Sequence, residues 1–396
     1  MGDGRRYEQQ NPWISFRYAV SFAPLWAKLG EAYSKCKHLS GTPLKPALQR
    51  DLSRIYMIKG ALASTAIEGN TLSEAQVMAL REGKEKLPPS QRYLEQEVDN
   101  VLGALKDIDS SGRSGERFRL SAEWIKDQNR KVLDGLEVED YVVPGEYCTG
   151  QMVVGSYRGA PPEDVPYLMD RLCEWLNTEY LEPADACNDD QEDMRFYLCF
   201  LAAVLAHLYL VWIHGFGDGN GRTARLVETA ILDHSGVVPW ISANTLADYY
   251  NQTRDKYYLR LSESSRNGDA SGFVHYSAVG FVEKLRDQIE RVQDQQRKIA
   301  WESLVYEVLR DEPSGVARDR RRDVVIAMSN MSGSLERQQI SQLTPRIAAK
   351  YGNDETKRAR MLSRDLKRLA ELGLVRREGR GMWTSNITIM DAFKPV

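Results

Sequence analysis

The run FYLCFLAAVLAHLYLVWI, Phe196 to Ile213, passes without a break into HGFGDGNGRTAR, His214 to Arg225. The first part is nearly all apolar over 18 residues, the lower edge of the length needed to span a bilayer. It is the one such segment in the chain, and no loop separates it from the polar stretch. The reading is therefore a helix buried on all sides of a helical domain, delivering the polar stretch to a fixed place.

That polar stretch has the composition of an anion site. Gly215, Gly217, Gly219 and Gly221 let the backbone approach a ligand closely. Thr223 to Leu232 then reads as a helix. A glycine-rich turn feeding a helix N-terminus points unpaired N–H groups at a ligand, and the helix dipole favours negative charge there. Asp218 offers a hard oxygen ligand suited to Mg²⁺, which binds through one or two carboxylates plus phosphates. Asn220 can hydrogen-bond a phosphate oxygen. Arg222 and Arg225 carry planar guanidinium groups that suit phosphates. His214 titrates near neutrality and can take a proton from an attacking hydroxyl. A plain Gly- and Asn-rich connector would explain any one of these residues; it does not explain all of them together.

The stretch resembles the signature of the Fic family, HPFxDGNGRxxR. Gly215 departs from it, where the family carries proline, which bears on the loop geometry. The related Doc branch carries lysine where Gly221 stands and phosphorylates its target, so Gly221 favours nucleotidyl transfer. The resemblance implies a mainly α fold, a Fic-type helical bundle with a short β-hairpin flap. It implies ATP as substrate, Mg²⁺ as cofactor, and transfer of AMP to a Ser, Thr or Tyr hydroxyl of a target protein or of the enzyme itself. His214 would be the general base and Asp218 the Mg²⁺ ligand. Gly219, Asn220, Gly221 and Arg222 would hold phosphates, Thr223 and Ala224 would complete the nucleotide site, and Arg225 would meet the γ-phosphate.

Upstream, Leu52, Ile55, Tyr56, Leu62, Ala63 and Ala66 fall on one helical face. Gly69-Asn70 supplies a stop, and Ser73 with Gln76 forms a capping box for the next helix. Ser64 and Glu68 share a face of the first helix. By spacing alone they are a helix end with a solvated carboxylate. By resemblance they match [S/T]xxxE[G/N], the inhibitory motif of Fic proteins. Because it precedes the catalytic motif, it resembles the class with an N-terminal inhibitory helix. That implies Glu68 paired with Arg225 where the γ-phosphate belongs.

Tyr147 to Pro162 breaks the helical pattern. Met152-Val153-Val154 is strand-like, and Gly155, Gly159, Pro161 and Pro162 follow, which reads as a hairpin. It resembles the Fic flap, and a flap's open edge can align an extended target segment. Val154 and Gly155 are therefore candidate nucleotide neighbours. Val165, Leu168, Met169, Leu172 and Leu176 form the apolar face of a helix beginning near Glu163-Asp164. Tyr257 and Tyr258 are core residues by type and nucleotide contacts by resemblance. Cys148 stands where relatives have arginine, and nothing catalytic is read from it.

The end of the chain differs in charge. Ser341 to Val396 carries 12 Lys/Arg against 6 Asp/Glu, although the whole chain is at −3. Leu343 to Lys350 and Thr356 to Leu372 read as helices and Leu374 to Thr384 as a hairpin, an order resembling a winged helix-turn-helix. Lys357, Arg358, Arg364 and Arg376 are candidate DNA contacts, since a basic helix and wing suit phosphates and the major groove. The same charges equally fit a solvated face or a protein-binding module.

The domain reading is 1–112 for an N-terminal helical region, 113–290 for the catalytic core, 291–315 for a linker around Asp311-Glu312-Pro313-Ser314-Gly315, and 316–396 for the winged helix. Five cysteines without CxxC spacing argue against a disulfide framework or zinc site and point to a reducing, cytoplasmic setting. Met1 to Asn11 is polar and does not read as a signal peptide. The partners expected are ATP, a target protein, a second copy as a homodimer and DNA, with no membrane. Two other functions remain open. The same scaffold can transfer UMP, GMP or phosphocholine, or remove AMP. A DNA-binding regulator that senses nucleotide belongs to another class, and an intact His214 argues against it, since a sensor needs no base.

Overall fold

The computed structural model describes residues 5–19, 23–113 and 118–391. Met1 to Gly4 of the polar N-terminus and Lys394 of the basic C-terminus lie outside the described residues. Contacts divide the chain into two units, Met1–Ile289 and Glu290–Val396.

The apolar run forms the helix Glu192–Ile213 at the centre of the first unit. Phe200, Ala202, Val204, Leu205 and Leu208 are wholly buried, on every side of the helix. Among the described residues, the helical stretch Asp189–Ile213 has the length and apolarity to cross a membrane, and most of it is buried inside the protein. A helix walled in by neighbours needs no polar face. It ends at His214, whose left-handed backbone (φ 50°) turns the chain out of the helix. The next helix, Asn220–His234, packs back along it.

Around this pair lie Pro46–Ile67, Arg92–Arg113, Ala122–Val132 and Val165–Leu176. Leu62, Leu94, Val98, Leu105, Val132 and Leu226 from four of these helices share one core cluster, each such burial contributing roughly 1.5–3 kcal/mol. The boundary expected after residue 112 is therefore not a structural division: the helix holding Glu68 and the motif helix share a core. Pro46 stands at the first turn of its helix, where its missing N–H costs nothing. Gly69 (φ 109°) turns the chain beyond Ile67. The Ser73–Gln76 capping box is present in both directions.

Val153–Val154 and Tyr157–Arg158 form a two-stranded antiparallel hairpin, with Val154 opposite Tyr157. Gly155 (φ 58°) makes the turn possible.

In the second unit, the helix Val316–Ser329 is followed by the strand Leu335–Glu336, the helices Pro345–Tyr351 and Glu355–Glu371, and the strands Val375–Arg377 and Met382–Ser385. The last strand lies between the other two in an antiparallel sheet. Trp301, Val305, Val324, Leu366 and Trp383 are buried in its core. Asp365, also buried, accepts from Arg320 (2.6 Å), Arg321 (3.0 Å) and the Tyr351 hydroxyl (3.0 Å). The stretch expected to be a linker over 291–315 is helical as far as Val308, as part of Ser271–Val308. Its charges occupy the solvent side of a helix whose other side buries Trp301 and Val305.

Candidate active site

The two buried helices meet in the loop 214–219. Asn220 closes it: its Nδ2 donates to the Phe216 carbonyl (2.8 Å) and its Oδ1 accepts from the Phe216 N–H (3.0 Å). Asn129, from the helix Ala122–Val132, clamps the loop from outside. Its Nδ2 donates to the Asp218 carbonyl (2.9 Å) and to Thr223 Oγ1 (3.2 Å), and its Oδ1 accepts from Gly145 N–H (3.0 Å). Gly219 has φ 75°, and a Cβ there would come within 2.9 Å of Asn129 Nδ2. Cys148 N–H donates to the Gly215 carbonyl (2.9 Å), so this residue's backbone also holds the loop.

His214 lines a cavity of about 600 Å³ together with Glu68, Val154, Gly155, Gly221 and Tyr258. Its Nδ1 lies 3.3 Å from the Val211 carbonyl. With Nδ1 as donor there, Nε2 carries the lone pair. Burial lowers the His214 pKa, against the opposing pull of the Val211 carbonyl and of the Glu68 and Asp218 charges. The imidazole is therefore neutral at pH 7 and able to accept a proton.

Arg222 and Arg225 are buried and do not themselves line the cavity; Arg225 lies against Glu68 and Gly221, which do. Arg222 pairs with Asp218 (3.1 Å) and Glu97 (3.3 Å). Arg225 donates through Nε to Ser64 Oγ (2.9 Å) and through Nη2 to the Ser64 carbonyl (2.8 Å) and Glu68 Oε1 (2.6 Å). Burial pulls the Arg225 pKa down; the charges of Glu68 and Tyr257 and the hydrogen bond to Glu68 outweigh it and hold it above its ordinary value. A Cβ on Gly221 would collide with Glu68 Oε1, so glycine there leaves room for the carboxylate. Arg225 Nη1 and Arg222 Nε are buried with no hydrogen-bond partner among the described residues. Orphaned donors of this kind suit an incoming anion. The Asp218 side chain is 51% exposed and fits a one-carboxylate Mg²⁺ site, in which phosphates and water supply the other ligands. No group of three His, Cys, Asp or Glu suited to hold a metal occurs among the described residues.

Residues 119–232 match the family model described as Fic/DOC family. The protein adenylyltransferase fic-1 of Caenorhabditis briggsae is 32% identical over 232 residues, 59% of this chain and 41% of that protein. The chain thus spans about two fifths of that relative. A solved Fic family protein from Desulfovibrio desulfuricans G20 shares the fold, with TM-score 0.54 and 21% identity over 93% of this chain and 97% of that one. A solved fragment of Fic-1 from Caenorhabditis elegans is 27% identical, with TM-score 0.51 over 67% of this chain and 71% of that one. The Fic/DOC match contains the whole loop and both arginines; Ser64, Glu68 and Tyr257 lie outside it.

Several assignments made along the motif change in three dimensions. Asn220 shapes the loop, both ends of its side-chain amide being bonded to the Phe216 backbone. The helix begins at Asn220 and not at Thr223, so the early N–H groups belong to Asn220, Gly221 and Arg222. Thr223 N–H is already bonded to the Gly219 carbonyl (2.9 Å). The side chains of Thr223 and Ala224 are buried, away from the cavity. Tyr257 presents only its ring: its hydroxyl is bound to His207 Nε2 (2.9 Å), and His207 Nδ1 to Glu228 Oε2 (3.1 Å), inside the core. Tyr258 is 44% exposed and lines the cavity.

Asn129 and Glu97 carry no motif in the sequence, and neither do Gln10 and Trp13, which line the cavity from the N-terminal segment. Asn11 Nδ2 donates to the Arg158 carbonyl (3.0 Å), joining that segment to the hairpin.

In the second unit, three of the four basic residues singled out are engaged locally. Arg358 donates to the Gly352 carbonyl (2.9 Å), Arg376 pairs with Glu378 (2.9 Å), and Lys357 lies 3.7 Å from Asp354. Arg364 is exposed. Arg358 in particular is a cap on its own loop, because its position one turn into the helix faces that carbonyl.

Proposed function

We propose that this chain transfers AMP from ATP to a hydroxyl side chain of a protein. The observation that carries the reading is a juxtaposition: neutral His214, Gly221 at the start of Asn220–His234 and Glu68 line one cavity, and Glu68 is bound to Arg225, whose Nη1 has no partner among the described residues. The relatives named protein adenylyltransferase support it. The hydroxyl oxygen attacks the α-phosphorus, the bond from that phosphorus to the bridging oxygen breaks, and pyrophosphate leaves. The hydroxyl proton passes to His214 Nε2. The helix N-terminus and Arg222 stabilise charge on the phosphates, and Arg225 meets the γ-phosphate. Asp218 would hold Mg²⁺, whose charge would offset that of the α- and β-phosphates. The exposed edge of Val153–Val154 is the flap that aligns the target segment.

The same reading makes Glu68 a brake. Its carboxylate occupies Arg225 and puts negative charge where the γ-phosphate would sit, so ATP binds weakly or in a pose unfit for attack. Mass spectrometry of a lysate incubated with the Glu68→Gly protein, ATP and magnesium tests the chemistry. AMP adducts on Ser, Thr or Tyr are expected. Adducts of another nucleotide, or none, would move the reading to another donor or to AMP removal. Five free cysteines, four of them buried, suit a reducing compartment.

For the second unit, we propose a winged helix-turn-helix that contacts DNA. Its order of helices and strands supports this, as does a stripe of Arg360, Arg364 and Lys367. These three are exposed and have no carboxylate partner among the described residues. Affinity for duplex DNA that falls steeply with salt is expected, and no binding at low salt removes the proposal.

A further inference from the structure

Glu68 stands at a helix end whose own last turn supplies no cation. The helix Pro46–Ile67 carries no basic residue in its last turn, and its final carbonyls are among the acceptors every helix leaves unpaired. One of them, on Ile67, is taken from outside. Arg254 Nη2 donates to it, and the Tyr258 hydroxyl approaches the same oxygen at 3.4 Å. Both come from the helix Arg254–Asn267, which lines the nucleotide cavity through Tyr257, Tyr258 and Leu261. A cation at a helix C-terminus also complements the dipole.

The placement matters because Ile67 directly precedes Glu68. Beyond Glu68, Asn70 Nδ2 donates to the Leu94 carbonyl and to Glu97 Oε2 (both 2.8 Å). The turn carrying Glu68 is thus held on both sides, by Arg254 before it and by Asn70 after it. Glu97 also pairs with Arg222, so loss of the Asn70 side would disturb a phosphate-binding residue as well. The Arg254 side touches none of them. Arg254 is exposed, and its truncation opens no core cavity.

We propose that Arg254 is a positioning residue for the brake: by gripping the Ile67 carbonyl it fixes the backbone from which Glu68 reaches Arg225. This rests on the reading of Glu68 as inhibitory. Freed of Arg254, the helix end frays, Glu68 spends less time on Arg225, and the γ-phosphate position opens. Occupancy of the cavity beside Tyr258 is coupled to the same grip, since one helix carries both.

The test measures AMP transfer and ATP affinity for wild type, Arg254→Ala, Arg254→Lys, Glu68→Gly and Glu68→Gly/Arg254→Ala in the full chain. Arg254→Ala is expected to raise transfer several-fold and to lower the KM for ATP. Arg254→Lys, which keeps a donor, should sit nearer wild type. In the Glu68→Gly background the same change should have an effect of less than twofold, because no brake remains to be positioned. A purely structural role would instead lower activity in both backgrounds, together with the melting temperature. If Glu68→Gly activates while Arg254→Ala leaves transfer and KM unchanged or lowers activity in both backgrounds, Arg254 has no such role. If Glu68→Gly itself fails to activate, the inhibitory reading falls and this inference with it.

Discussion

Glu68 Oε1 accepts a 2.6 Å hydrogen bond from Arg225 Nη2 across 157 residues of chain. The arginine is almost wholly buried and the carboxylate about one third exposed. The pair therefore sits at the wall of the cavity, where an anion arriving from solvent meets the carboxylate first.

Competition for Arg225 sets the first expectation. Glu68→Gly should tighten ATP by on the order of tenfold, a change of ~1.4 kcal/mol. Calorimetric titration of both proteins with ATP and magnesium checks it. Equal affinities would mean that the carboxylate does not compete for the γ-phosphate position.

His214 sets the pH dependence. Burial first, only partly offset by the Val211 carbonyl and nearby carboxylates, places its pKa below the ordinary 6.5. The neutral form is the base, so transfer should stay level from pH 8 down through about 6.5 and fall only below that, as the ring takes a proton. The folded state disfavours the charged ring. Its contribution to stability is thus full above the unfolded pKa and is lost as pH falls toward the folded one. Rate–pH profiles of the Glu68→Gly protein, read as kcat, report the acid limb. A limb above 6.5 would contradict the burial argument.

Asn129 is wholly buried and makes three hydrogen bonds around the loop. Asn129→Ala leaves Gly145 N–H without its partner and should cost about 2 kcal/mol. It should also loosen the phosphate loop. The first unfolding transition should drop in urea, and kcat should fall in the same protein. Unchanged kcat would show that the loop keeps its shape without this clamp.

At Gly215, a Cβ would come within 2.5 Å of Val165 Cγ1. Gly215→Ala should therefore lower the unfolding midpoint, and Val165→Ala added to it should restore part of the loss, a coupling expected of residues in contact. Additive effects would mean that the loop relaxes away from Val165. A proline at this position would meet the same Val165 side chain.

Reading along the chain succeeded where local chemistry decides structure. The unbroken apolar run Phe196 to Ile213, leading without a loop into a polar stretch, favours a buried helix over a membrane span, and the glycines after it favour a close approach over a plain connector. Ser73 and Gln76 announce their cap by spacing alone. Failure came where a helix shows one face to a ligand and another to the core. Thr223 and Ala224 follow Arg222 in the motif, but a rotation of about 100° per residue turns them inward. Asn220 has the type of a phosphate ligand and spends both ends of its amide on the loop. Asn129, Glu97 and Arg254 reach the site from helices 89, 125 and 187 residues distant from their partners. Nothing in the spacing of an ordinary Asn, Glu or Arg records such a contact.

The most direct test of the account is label transfer from ATP carrying its label at the α-phosphate, with magnesium and a cell lysate. Wild type, Glu68→Gly and Glu68→Gly/His214→Ala would be compared side by side. The account predicts weak labelling by wild type, strong labelling by Glu68→Gly, and none once His214 is removed. Labelling that persists without His214, or that is no stronger with Glu68→Gly than with wild type, would contradict it.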